Sequence, residues 1–167
     1  MALAVNVAGA QYKPVDDASS LQFTIKNLGF DVNGVFKGFQ GTINFDPANA
    51  AASAFDVTID ANTVNTDNST RDGHLREGSY FDVQHYPKIR FESTQISGQN
   101  GSYKVTGKLT IKKTTKVISF PFTAAPSGDG YVFKGKFNIK RRDFEVGGFS
   151  TISDDLVVML NVVTKKT

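Results

Sequence analysis

An all-β fold with one short helical insert, an antiparallel β-barrel of about eight strands, is predicted by three observations on this 167-residue chain. Apolar and polar residues alternate with a period of two over most of its length, as they do in strands with one face on a core and the other in water. Glycine- and asparagine-rich turn signals recur at hairpin spacing. A single polar stretch, residues 62–78, loses the alternation. An up-and-down barrel accounts for this spacing better than a parallel sheet does; an antiparallel sandwich is the alternative.

In the first clear strand Leu21, Phe23 and Ile25 share one face, with Gln22, Thr24 and Lys26 on the other, and residues 27–33 turn the chain. In the next run Val32, Gly34 and Phe36 have one parity, and Phe39, Gly41, Ile43 and Phe45 have the other. The change falls at Gly38, where a β-bulge or sharp bend is expected. Phe55, Val57 and Ile59 form a third strand, with Asp56, Thr58 and Asp60 outward. Asn68 is placed to cap a short helix over residues 69–77 whose single apolar anchor is Leu75. Alternation then resumes at Ile89 and Phe91, at Tyr103 and Val105, at Leu109 and Ile111, and at Ile118, Phe120 and Phe122. Tyr131, Phe133, Phe137 and Ile139 follow, and Leu156, Val158, Leu160 and Val162 make the last strand. Lys108, Lys112, Lys134, Lys136 and Lys140 have the opposite parity and point to solvent, where they keep the chain soluble and protect strand edges.

Composition narrows the function. The length fits a single domain over residues 11–167. With no cysteine there is no disulfide, thiolate nucleophile or cysteine metal site, and redox chemistry does not reveal the compartment. Fourteen phenylalanines and no tryptophan favour an apolar interior with no indole N–H to satisfy. The net charge of +3 is spread over several strands, which argues against a nucleic-acid partner and leaves room for transient contact with a membrane surface. No run approaches the ~18 apolar residues of a membrane-spanning helix. Residues 1–10 are small and apolar and end in Ala8-Gly9-Ala10, the pattern of a signal-peptidase site, but lack a basic leader. They read as the remnant of an export signal, so a periplasmic or secreted protein is expected; the alternative is a disordered N-terminus on a cytoplasmic one.

Enzyme chemistry finds little support. The two histidines, His74 and His85, show no zinc-ligand spacing with other residues, and no G-x-S-x-G elbow occurs. Residues 130–136 reproduce the G-x4-GK spacing of a phosphate loop, but Phe137 stands where Ser or Thr is required and the intervening residues read as strand. No catalytic residue, metal or cofactor is therefore expected. The competing functions are an enzyme using a lumen-facing histidine with a carboxylate partner, and a filled barrel serving as a stress-related interaction protein.

Arg71-Asp72-Gly73-His74-Leu75, followed by Tyr80-Phe81-Asp82 and by Tyr86-Pro87-Lys88-Ile89-Arg90-Phe91, resembles the YceI-like family of bacterial lipid-binding proteins. Residues 32–45 and 107–121 resemble two further family segments, and Arg142-Asp143-Phe144 with Val146-Gly147-Gly148 resembles its late R-x-DF-x-VGG element. The likeness runs from about Tyr12 to Val163. Lys113 and Glu145 depart from it, each standing where the family usually has glycine. The resemblance implies an extended, lipocalin-like barrel that holds a long isoprenoid lipid, such as a polyprenyl phosphate or a quinone, and it allows pairing into a homodimer.

An eight-stranded barrel is just wide enough to be filled by its own side chains or to hold one slender ligand. On the second reading the lumen is lined along the early strands by Phe23, Ile25, Phe36, Phe39, Ile43, Phe55 and Val57. Phe81, Ile89, Phe91, Leu109, Ile111, Phe120 and Phe122 continue the wall, and Phe133, Phe137, Leu156, Val158 and Leu160 complete it. Gly34, Gly41 and Gly135 are expected to leave the space for a continuous apolar channel. Arg71, His74, Arg90 and Arg142, with Arg141 beside it, are the candidates for contacting a head group. For Arg71 the competing role is to tie the helix to the barrel together with Asp72; for His74 it is a structural hydrogen bond. Removing a five-carbon unit from water is worth roughly 3–4 kcal/mol. A bilayer offers the same gain, so a reversible carrier or store is expected.

Overall fold

The computed structural model describes residues 10–167. The export-signal reading of residues 1–10 thus falls, except for Ala10, outside the described residues. The described residues form nine strands: β1 (Ala10–Pro14), β2 (Ser20–Asn27), β3 (Phe30–Phe45), β4 (Ala54–Asn65), β5 (Lys88–Gln99), β6 (Ser102–Ile111), β7 (Thr114–Ser127), β8 (Gly130–Lys140) and β9 (Ile152–Lys166). One α-helix, α1 (Ser69–Arg76), lies between β4 and β5. From β2 to β9 each strand pairs antiparallel with the next, and β9 returns to β2 with Phe23 opposite Val158, closing the ring. β1 pairs with β3 at Tyr12↔Ile43 and with β9 at Tyr12↔Lys166. β1 and β2 therefore occupy one ring position in succession, and nine strands make a closed barrel of eight positions. β1 was not expected from the sequence. It has a single buried side chain, Tyr12, which is too little for alternation to register.

The bend expected at Gly38 is present. The β3–β4 register slips on both sides of Lys37, and Gly38 has φ +84°. The carboxylate of Asp16, in the 3-10 turn Asp16–Ala18 joining β1 to β2, accepts hydrogen bonds from the N–H groups of both Gly38 and Phe39, each at 2.9 Å. The donors that the bulge removes from the ladder are thereby satisfied.

The inward glycines hollow the barrel less than expected: Gly34 leaves no space, and Gly135 borders a small one. A Cβ on Gly34 would lie 2.1 Å from Cζ of Phe23, and one on Gly135 would lie 3.2 Å from Cε2 of Phe120. Gly107 is covered in the same way by Phe91. In each case a phenylalanine on the adjacent strand lays its ring over the glycine. Gly41 is exposed, has φ +134°, and lets the backbone approach the carbonyl of Asp56, so it serves strand coiling rather than the lumen.

The two ends of the barrel differ. At the end formed by the β3–β4, β5–β6 and β7–β8 connections the ring of Phe45, only 1% exposed, meets those of Phe55, Tyr103, Tyr131 and Phe133 at centroid distances of 5.0–6.4 Å. Three of these four contacts are edge-to-face, and the cluster packs this end of the barrel with rings. The opposite end is framed by the β2–β3 turn, α1, the β6–β7 turn and the β8–β9 connection.

Candidate functional site

A cavity of about 730 Å³ occupies the half of the barrel nearer α1. Phe23 and Ile25 of β2, Phe36 of β3, Ile89 of β5, Leu109 and Ile111 of β6, Phe137 of β8, Leu156 and Val158 of β9, and Phe81 after the helix are in its wall. A second cavity of about 130 Å³ lies deeper, against Phe39, Ile43, Phe55, Val57, Phe91, Phe120, Phe122, Phe133 and Leu160. Every wall residue named from the sequence thus borders one of the two spaces. The lumen is not a channel of even width, however. Leu21, Ile59, Ile89, Leu109 and Phe137 border both chambers and narrow the passage between them, and the aromatic cluster around Phe45 stops the far end. Parity says which face a side chain is on, but not how far its ring reaches across the lumen. The larger chamber falls within the ~300–1,000 Å³ of small-molecule sites.

Helix α1 is mounted on the end of β4 by polar contacts more than by an apolar face. Asn68 caps it, its Oδ1 accepting from the Arg71 N–H at 3.0 Å. Asp72, 6% exposed, accepts from the Thr66 backbone N–H at 2.9 Å and from its hydroxyl at 2.6 Å. Arg71 donates Nε to the Thr66 hydroxyl at 2.7 Å and Nη2 to the Thr66 carbonyl at 2.8 Å. Leu75 packs on the main core, and Phe81, held by its N–H to the Leu75 carbonyl at 2.9 Å, meets Phe36 edge-on at 5.2 Å. The helix thus covers part of the mouth and sets Asn68, Thr70, Arg71, His74 and Glu77 around the cavity.

The four residues expected at a head group separate. Arg71 ties the helix to β4 and also borders the cavity; its Nη1 makes no hydrogen bond among the described residues. His74 borders the cavity and is exposed. Arg142 is exposed and outside the cavity wall, with its guanidinium 5.2 Å from the ring centroid of Phe149. Arg90 must be corrected: it lies on the outer wall, because Ile89 and Phe91 on either side of it point inward. It grips Asp56 of β4 with Nε at 2.9 Å and Nη2 at 2.7 Å, and reaches Glu92 at 2.6 Å. The hydrogen bond from Arg90 holds the Asp56 carboxyl below its ordinary pKa, and the Asp56 carboxylate raises that of Arg90.

Arg141 is the residue that sequence reasoning undervalued. It is 6% exposed, borders the cavity, and donates to the carbonyls of Ser153 (3.0 Å), Val146 (3.1 Å), Gly148 (3.0 Å) and Ile152 (3.0 Å) and to the Ser150 hydroxyl (3.4 Å). Its guanidinium thereby fixes the connection between β8 and β9. The signal was available: counted by its own spacing, the R-x-DF element begins at Arg141, not Arg142. The two departures from the family pattern meet here, Lys113 Nζ lying 3.7 Å from the Glu145 carboxylate. Glu145 has the left-handed backbone (φ 58°, ψ 33°) that glycine adopts freely. At the β6–β7 turn it is Lys112, not Lys113, that has positive φ.

A histidine catalyst would need a lumen position and a carboxylate in one residue. His85 has the carboxylate, Asp82 at 2.8 Å, but is exposed and does not border the cavity; His74 borders it without a carboxylate partner among the described residues.

The family model for the YceI-like domain matches residues 12–164. A UPF0312 protein of Pseudomonas aeruginosa is 35% identical over 133 residues, covering 75% of this chain and 70% of its own. One of Yersinia pestis is 35% identical over 133 residues, covering 75% and 69%. Among solved structures, Burkholderia cenocepacia BcnA superposes with a TM-score of 0.84 at 29% identity, over 89% of this chain and 98% of that one. The Campylobacter jejuni YCEI protein gives 0.71 at 33% identity, over 81% and 85%. A polyisoprenoid binding domain from Saccharophagus degradans gives 0.76 at 16% identity over 93% and 98%, a likeness of fold alone. With this match over residues 12–164, its closed antiparallel barrel and its helical insert, the chain belongs to the YceI-like family.

Proposed function

We propose that this protein is a non-catalytic carrier or store for one isoprenoid-tailed amphiphile of the polyprenyl phosphate or quinone type. The observation that carries this reading is the 730 Å³ cavity, apolar along the strands and polar where Asn27, α1 with its flanking residues, and Arg141 frame its mouth. A hydrocarbon tail lies between Phe23, Ile25, Leu156 and Phe137, and the head group stays at the mouth beside Arg71, His74, Asn68 and Thr70. The solved relative from Saccharophagus degradans, described as a polyisoprenoid binding domain, has the same fold. Burial of the tail gains little over a bilayer, so selectivity comes from the shape of the chamber and from the head-group contacts, and loading is reversible. The carrier works in the periplasm or outside the cell, exchanges its lipid at a membrane surface, and needs no cofactor. Organic extraction of the purified protein followed by mass spectrometry tests the reading. One isoprenoid-tailed lipid per chain is expected; protein that holds none, even after incubation with polyprenyl phosphate, contradicts it.

A further inference from the structure

Three large apolar side chains stand in solvent on one side of the mouth: Leu28 is 72% exposed, Phe30 78% and Phe149 94%. The Leu28 N–H donates to the Thr151 carbonyl at 3.3 Å, and the Thr151 hydroxyl donates to Asn27 Oδ1 at 2.6 Å. The β2–β3 turn is thus tied to the loop that carries Phe149. Asn27 and Ile152, next in sequence to this junction, border the large cavity, which places the apolar cluster on its rim.

The backbone at this turn runs against its sequence. Leu28 has φ +52° and Gly29 φ +83°, a pair of positive angles for which Asn-Gly is the favoured sequence. Leucine is disfavoured in the left-handed region, and here its side chain recovers nothing by burial. A strained residue that presents an exposed apolar side chain points to a contact outside the fold. Arg142 lies over Phe149 and makes no ion pair among the described residues. Of the nearby charges, Lys26 pairs with Asp31 at 2.9 Å and Lys113 with Glu145 at 3.7 Å, and Asp154 accepts the Arg142 backbone N–H, while neither it nor Asp143 has an ion pair among the described residues.

We infer that Leu28, Phe30 and Phe149 form a docking tip that inserts into the interfacial layer of a phospholipid bilayer, with Arg142 reaching the lipid phosphates and the cavity mouth held against the membrane. This deepens the carrier reading and rests on it, since the lipid to be exchanged resides in that bilayer. Side chains of this size offer at most ~200 Å² each, so the three together give at most ~600 Å², short of the ~800 Å² per partner of a stable protein interface. A bilayer needs no such area, because each inserted side chain transfers independently.

Flotation with phosphatidylcholine vesicles tests the inference. The wild-type protein floats with the vesicles, and Leu28→Asn, Phe30→Ser and Phe149→Ser each lower the vesicle-bound fraction about tenfold. Leu28→Asn restores Asn-Gly to the turn, so its melting temperature stays level or rises and its loss of flotation is not a loss of fold. Wild-type protein that fails to float while its extracts still contain lipid overturns the docking tip and leaves the carrier reading standing. Flotation by protein whose extracts are empty does the reverse. Variants that float like wild type, or that only dissociate a dimer in sedimentation, also overturn the docking tip.

Discussion

The rings of Phe120 and Phe137 stack 4.4 Å apart at an interplanar angle of 21°, across a stretch where β7 and β8 share no ladder pairs. Their pairing extends only from Phe122↔Gly135 to Ser127↔Gly130, and it ends beside Pro121, which has no N–H to offer. Aromatic stacking therefore replaces hydrogen bonds in this part of the wall. Phe137 also borders both chambers, so this ring sets the depth of the large one.

Phe137→Ala should widen the passage between the chambers. Removing the ring costs about 3–5 kcal/mol of stability, read from the urea midpoint, and the lipids extracted from the variant shift to longer tails. An unchanged tail-length distribution in a folded variant contradicts the role given to Phe137.

Gly34→Ala should reduce lipid content from the opposite direction. Its Cβ would stand where the Phe23 ring lies, so the ring moves toward the lumen, with an overpacking cost of about 1–3 kcal/mol. Adding Phe23→Leu should restore both stability and lipid content, a coupling that a double-mutant cycle measures directly.

On the outer wall, Asp56 has a lowered pKa because Arg90 donates to it. A depressed folded-state carboxyl contributes stability that is complete above its unfolded value of about 3.9 and fades as the pH falls through the lowered one. Both side chains are about half exposed, so solvent screening keeps the effect small. Asp56→Asn should flatten the urea midpoint against pH below about pH 4 and leave lipid content untouched. A loss of bound lipid in Arg90→Ala would instead return Arg90 to the head-group site.

Arg141 and Arg142 are adjacent but should behave differently. Arg141→Met leaves four carbonyls without their donor at a cost on the order of 3–5 kcal/mol, and should expose residues 145–151 to limited proteolysis and speed lipid release. Arg142→Ala should leave proteolysis unchanged.

Most of the barrel was legible because period-two alternation is imposed by the pleat itself, and the wall residues follow from it. The parity change in β3 located the bulge at Gly38. It could not show that Asp16, more than twenty residues earlier, satisfies the freed N–H groups, since that contact depends on where the β1–β2 connection lands. The expectation for Arg90 ignored the parity that had placed Ile89 and Phe91 inward. The inward glycines misled for a different reason: a missing Cβ marks room for something, and here a neighbouring phenylalanine takes it at Gly34 and narrows it at Gly135. The mouth was least legible, because loop positions such as Arg141 and Phe149 follow no period.

A crystal structure of the protein loaded with polyprenyl phosphate tests the central claim most directly. Elongated density should run from between Arg71 and His74, past Leu156, to the face of Phe137, with none beside Phe45. Density confined to the outer wall, or a lumen closed by the protein's own side chains, would contradict the account.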